Sequence, residues 1–223
     1  MKEKMKLLGT SLVCILAVVI VGLLFPRELG DLEVENVPGI DETGPIITLN
    51  KNDLKKVEEM LEYANFFYSP EWNNHTLTDT IIANVGIELT KSNQEVEVGE
   101  DIYILKVKKE IFDIATYDFF GRRIKSEETL DTGRVKFENN YYIITKMSEG
   151  EEGTYIHKFR RAYDLGDNYI KVECQVDYIF YDIELEGDVF TENAGTAECI
   201  LKKTEKSPYG YYFMAYRIEI DMR

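Results

Sequence analysis

The sequence predicts an α+β fold behind an N-terminal transmembrane helix, and three observations carry that reading. Leu7 to Phe25 runs nineteen residues without a charge. From Asn52 to Phe120 apolar residues recur at helical spacing, and after Gly133 they alternate with period two. Helical segments followed by a run of strands place helices against an antiparallel sheet. With 223 residues, 44% of them apolar, the chain holds one well-cored domain and a short accessory segment.

The uncharged run is about 28 Å long as a helix, close to the hydrocarbon thickness, whereas the apolar core of a cleaved signal peptide is about 7–15 residues. It ends Gly22-Leu23-Leu24-Phe25-Pro26, bulky where signal peptidase needs small side chains. A retained anchor through residues 7–25 is therefore expected. Lys2, Lys4 and Lys6 precede it, which puts the N-terminus in the cytoplasm and the bulk of the chain outside the cell membrane. Cys14 invites a lipoprotein reading, but Val13 stands where a small residue is wanted, and eleven further uncharged residues follow.

The expected organisation is a cytoplasmic tip and anchor over 1–26, an acidic linker over 27–50 and an extracytoplasmic α+β domain over 51–223. Arg27–Asn50 carries six acids, Pro38, Pro45 and three glycines without a sustained period. Beyond it, Leu54, Val57, Leu61, Ala64 and Tyr68 share one helical face, with Asn52 as N-cap and Pro70 marking the exit. A second helix is expected from about Thr78 to Lys91. A third is expected from about Val107 to Phe120, closed by Gly121, with a short strand Ile102–Leu105 before it.

The strands begin with Arg134–Glu138 and Tyr141–Thr145 around an Asn139-Asn140 turn. Tyr155–Tyr163, a turn at Asp164–Asp167, Tyr169–Tyr181, Thr196–Lys203 and Tyr209–Ile220 complete one twisted meander of roughly five or six strands. In the long strand Ile170, Val172, Cys174, Val176, Tyr178 and Phe180 fall on one face, and Lys171, Glu173, Gln175 and Asp177 on the other. That pattern predicts a buried side and a wet side. Helices across the concave face would make a cone with a cavity.

The pieces Asp118-Phe-Phe-Gly, Asn140-Tyr-Tyr-Ile-Ile and Tyr163-Asp-Leu-Gly-Asp-Asn-Tyr-Ile-Lys-Val resemble anchored or lipid-modified exported proteins of Gram-positive bacteria. The helices-then-meander order is similar to the NTF2-like cone, and more loosely to secreted inhibitors of cell-wall endopeptidases, over about residues 52–220. The resemblance implies a cell-envelope setting and a sheet cavity, and it brings no functional motif residue by residue.

Composition narrows the chemistry. The formal charge is −15, and three lysines and Glu3 lie within residues 1–26, which leaves −17 outside the membrane. Nucleic acid would be repelled. Phosphate-cradling, nucleophile-elbow, zincin and EF-hand motifs are absent, and no cofactor is implied. Paired carboxylates such as Glu127-Glu128, Glu151-Glu152 and Glu184 with Glu186 read as solvated surface.

Three constellations remain, each with a plainer alternative. Cys174 and Cys199 fall on the covered side of neighbouring strands, either as a disulfide or as two reduced core thiols. A four-residue loop at Asp164–Asp167 would set His157 opposite Cys174, which leaves a His/Cys/Cys zinc site open beside a hydrogen-bonded sheet histidine. Lys158, Arg160 and Arg161 interleave with Tyr155, Phe159 and Tyr163. They form either an anion-binding pocket or cross-strand ion pairs to Glu173 and Asp177. Tyr209, Tyr211, Tyr212, Phe213 and Tyr216 read as core or as a carbohydrate-stacking platform.

The function expected from all this is non-enzymatic binding of a cell-envelope protein or a small ligand in the sheet cavity, through His157, Arg160, Arg161, Tyr155 and Phe159. The alternatives are an NTF2-like cavity enzyme and an inhibitor of cell-wall hydrolases.

Overall fold

A computed structural model describes residues 36–98, 102–127, 130, 133–147, 154–182 and 187–221. Among them no helix is long and apolar enough to cross a membrane. The Leu7–Phe25 run and Cys14 lie outside the described residues.

The chain enters as strand β1 (Ile46–Ile47), which pairs antiparallel with strand β7 (Thr154–Gly166) at Tyr163 and Ala162. Residues 36–50, expected to belong to a linker, are thus part of the fold, and Ile47 and Leu49 pack on the core. Gly44 permits the approach, since a Cβ there would fall 1.8 Å from the Asp164 carbonyl oxygen. Helix α1 (Lys51–Glu62) starts where the chain leaves β7. Its cap is Asn50 rather than Asn52, with Asn50 Oδ1 accepting from the N–H groups of Asn52 and Asp53 at 3.0 and 2.9 Å. After Glu62 the helix tightens into a 3₁₀ segment, Tyr63–Phe67, and Tyr68 turns left-handed at φ 49°.

Strand β2 (Glu71–Asn73) leads to helix α2 (Asp79–Leu89), whose cap Thr78 accepts from the Ile81 N–H. Every residue from Ile81 to Ile87 is buried, Asn84 included, so α2 is enclosed on all sides over this stretch. Strands β3 (Glu95–Val98) and β4 (Ile102–Lys108) precede helix α3 (Lys109–Phe120), which ends at left-handed Gly121 as the sequence indicates. Val107, expected in this helix, instead lies in β4 opposite Tyr142.

Strands β5 (Val135–Glu138) and β6 (Tyr141–Met147) form the expected hairpin, with Asn139 and Asn140 at φ 52° and 66°. They do not join the later strands. Among the described residues the sheets are two: four strands in the order β3-β4-β6-β5, and six in the order β1-β7-β8-β9-β10-β2. Here β8 is Tyr169–Asp182, β9 is Gly187–Lys203 and β10 is Tyr211–Ile220. The single meander expected from sequence is corrected because β6 finds its partner in β4, with Leu105 opposite Ile144, and buries Tyr142 against Phe112 of α3 at 4.1 Å between ring centroids.

Aromatic packing joins the layers. Phe67 sits 5.0 Å from both Trp72 and Phe213 and 4.8 Å from Tyr216, centroid to centroid, so the 3₁₀ segment is held against β2 and β10. Tyr211, Tyr212, Phe213 and Tyr216 are all buried, which makes that aromatic run core.

The wet face of the large sheet is only partly wet. Lys171 is 3% exposed, its Nζ donating to the Ile40 carbonyl at 2.9 Å and pairing with Glu198 at 2.6 Å. Arg217 joins Glu198 to Asp41. Burial pushes the Glu198 carboxyl up, but hydrogen bonds from Lys171 and Arg217 outweigh it and hold it below the ordinary range. Residues 40–47 therefore strap the sheet's outer face from β10 to β7.

Gly86 lets α2 and α3 approach closely, since a Cβ there would lie 2.3 Å from the buried Phe112 ring. Gly86→Ala gains about 1 kcal/mol of helix propensity and loses roughly 1–3 kcal/mol to overpacking. We expect a net destabilisation, read as a lower urea midpoint. An unchanged or higher midpoint would refute the tight contact.

Candidate functional site

Strands β7 and β10 stand three places apart in the large sheet, which in a flat sheet means about 14 Å. Yet His157 Nε2 on β7 and Tyr216 Oη on β10 share a hydrogen bond at 2.8 Å. The sheet is curled, and side chains from its two sides meet across the concave face. Beside this bridge lies a groove of about 560 Å³. Its walls come from the segment after α1 (Ala64, Phe66, Tyr68, Pro70), the start of β7 (Tyr155) and the end of β10 (Tyr216, Ile218, Ile220). Asn65, Ser69 and Thr154 add neutral polar groups.

Two buried polar atoms beside the groove have no hydrogen-bond partner among the described residues: Asn65 Oδ1 and His157 Nδ1. An unpaired buried acceptor costs on the order of 1–3 kcal/mol, so a donor that reached Asn65 Oδ1 would be held. His157 Nδ1 takes the role opposite to that of Nε2 in the bond to Tyr216, a donor in one tautomer and an acceptor in the other. Burial depresses the His157 pKa to about 4, which keeps the ring neutral at ordinary pH. Burial raises the Tyr216 hydroxyl far above its ordinary value, so it stays protonated.

The five ligand-binding residues expected from sequence do not converge. Tyr155 lines the groove and His157 stands next to it. Phe159 packs on the core opposite Cys174. Arg160 and Arg161 lie on the other face of the sheet, because β7 carries a bulge between Phe159 and Arg161 that inserts one residue and reverses the alternation. There Arg161 Nε pairs with Glu173 at 3.1 Å, Lys158 pairs with Asp177, and Arg160 donates to Gln175 Oε1 at 3.1 Å. The cation-and-aromatic anion pocket is thereby corrected to cross-strand pairing. Asp177 is fully buried and accepts from Gln175 Nε2 and the Asn193 N–H, each at 2.9 Å. Burial acts to raise its carboxyl, and the bonds from Lys158, Gln175 and Asn193 bring it below its ordinary value.

The zinc alternative also fails on register. The turn is tighter than four residues, with left-handed Asp167 and Asn168 at its tip, and β7 carries bulges between Asp164 and Gly166 and between Phe159 and Arg161, so that His157 faces Val176 and not Cys174. Among the described residues no group of three or more His, Cys, Asp or Glu side chains is placed to hold a metal. Cys174 faces Ala197 and Cys199 faces Val172, a diagonal offset of two residues instead of direct opposition. Both cysteines are free and buried, and burial pushes the Cys174 thiol up to about 12.

A second polar cluster went unread in the sequence. Lys109 Nζ bonds both Asp113 and Glu127, and Tyr142 donates to Asp113 Oδ1 at 3.4 Å. Burial raises the Asp113 carboxyl despite the lysine beside it. Glu127, expected as solvated surface, is instead a partner that ties the chain after α3 to the helix start.

The His157 shift has a signed consequence. A histidine depressed from 6.5 to about 4 stabilises fully above pH 6.5, and that contribution is lost as pH falls toward 4. By pH 5 the loss is about 2 kcal/mol. We expect the stability gap between the wild type and His157→Phe to narrow, or reverse, by that amount between pH 7 and pH 5 in urea titrations. A gap independent of pH would show that His157 is not held neutral.

No protein family, no curated protein and no solved structure matches this chain.

Proposed function

We propose that the chain is a membrane-anchored extracytoplasmic binding protein. In this reading the Leu7–Phe25 run holds it in the cell membrane, and the groove between the 3₁₀ segment and the curled sheet takes a cell-envelope protein or a small ligand. The groove carries the reading. Its volume, about 560 Å³, lies within the range of small-molecule sites, and its lining is mostly aliphatic and aromatic with a few neutral polar groups. That lining suits holding a ligand more than transforming one, since none of the lining side chains is a carboxylate, histidine, lysine or cysteine. The orphaned Asn65 oxygen favours a ligand with an N–H or O–H donor. The lysines before the uncharged run support the outward placement.

Trp72 is the sole tryptophan and lies in register with Tyr216, so its emission reports the groove. For the full chain in phosphatidylcholine nanodiscs, N-cyclohexylacetamide, apolar with one N–H, should change that emission saturably with Kd on the order of 1 mM. Ser69→Phe, which fills the groove, should abolish the change. A response that never saturates, or one that survives Ser69→Phe, rejects the groove as the site. Placement is checked separately. Trypsin added outside intact cells should remove the part of the chain beyond Arg27, and protection until lysis would reverse the topology.

A further inference from the structure

Strand β7 is the open edge of the large sheet along most of its length. Strand β1 covers it only at Ala162 and Tyr163, and among the described residues no strand pairs with the outer side of Thr154 to Arg161. The edge is already used for strand addition, since the chain's own Ile46–Ile47 sits on its far end, extended by the Asp164 N–H donating to the Pro45 carbonyl at 3.0 Å. Before the bulge six residues remain, Thr154–Phe159, about 20 Å of strand. An unpaired row of backbone donors and acceptors is a template for another strand.

The flanks of this stretch differ in chemistry. On the concave side Tyr155 opens into the apolar groove and stacks toward Tyr178 at 5.0 Å, with Phe180 a further 5.7 Å on. On the outer side Lys158 and Arg160 are exposed; Lys158 is paired with the buried Asp177, whereas Arg160's hydrogen bond is to the neutral Gln175. A second copy of the chain is a poor occupant, because antiparallel self-pairing would bring Lys158, Arg160 and Arg161 of both copies together on one face. An acidic strand meets the opposite situation. The overall charge of −15 opposes it at long range, but charges beyond about 8 Å are screened at physiological salt, so the neighbouring cations decide.

We propose that the β7 edge from Thr154 to Phe159 binds an extended segment of another protein as an added strand, with apolar side chains turned into the groove and acidic ones turned toward Arg160. This rests on the groove being a binding site and specifies what fills it. Backbone pairing would supply affinity, and the alternation of apolar and acidic positions would supply selection.

The test uses the full chain in nanodiscs and arrays of acetylated seven-residue peptides. Positions 2, 4 and 6 vary over Ile, Val, Leu, Phe and Tyr, and the odd positions are all Glu, all Ser or all Lys. Scrambled orders serve as controls. The Glu series should bind at least about tenfold better than the Lys series, and Arg160→Glu should cut that preference by about tenfold. Of two versions of the best peptide N-methylated at alternate amides, one should retain binding and the other lose it. Equal binding of both versions, or of scrambled peptides, overturns strand addition. If no peptide binds while N-cyclohexylacetamide still saturates the Trp72 signal, the peptide proposal falls and the groove stands. If neither binds, the groove reading falls with it.

Discussion

Side chains alternate across a strand, so the one residue that β7 gains between Phe159 and Arg161 decides which groups share a face. Before the bulge Tyr155, His157 and Phe159 turn inward. After it Ala162 turns inward, and Arg161 stands outside against Glu173. Without the extra residue Arg161 would face Val172 in the core, an unpaired buried guanidinium. The bulge therefore keeps the cations in contact with water and carboxylates, and it bends the strand where the sheet curls. That curl lets His157 reach Tyr216 and gives the groove two walls from one sheet.

The outer face is organised by charge in the same economical way. Glu173 and Glu198 stand directly opposite on β8 and β9, a like-charged pair that would repel if left alone. Arg161 takes the first, while Lys171 and Arg217 take the second. Lys171 and Arg217 also grip the entering chain at Ile40 and Asp41, so the ions that relieve the repulsion also fasten residues 40–47 across the sheet. Buried pairs of this kind contribute little net stability, but removing one partner is costly because it strands the other. Their effect is to determine where the strap runs.

The groove owes its character to packing more than to any single reactive group. Its floor rests on Phe67, which is locked among Trp72, Phe213 and Tyr216, so the segment from Ala64 to Pro70 cannot collapse into the space without breaking that cluster. Tyr68 sits exposed in a left-handed conformation at the rim, with Arg134 5.1 Å from its ring centroid. An apolar concavity kept open this way, with the buried Asn65 oxygen at its side, is arranged for a guest.

Local elements are legible in the residues alone: the buried face of α1, the Gly121 stop that ends α3 and the Asn139-Asn140 hairpin, whereas α3 buries Phe112, Thr116 and Phe119 and leaves Ile114, expected on its inner face, exposed. The legible elements depend on residues three or four apart, or on two adjacent asparagines that accept positive φ. Equally legible is the burial of Ile170, Val172, Cys174 and Val176, since alternation within one strand needs no partner. The bulge, the division into two sheets, the strap and the groove arise from contacts between distant parts of the chain. Asn65, Tyr155 and Ile218 line one wall-to-wall space from three distant parts of the chain, and nothing in their own neighbourhoods marks them. Register and curvature minimise the free energy of the whole core, so an inserted residue in one strand is set by what the others bury and leaves no signature where it occurs.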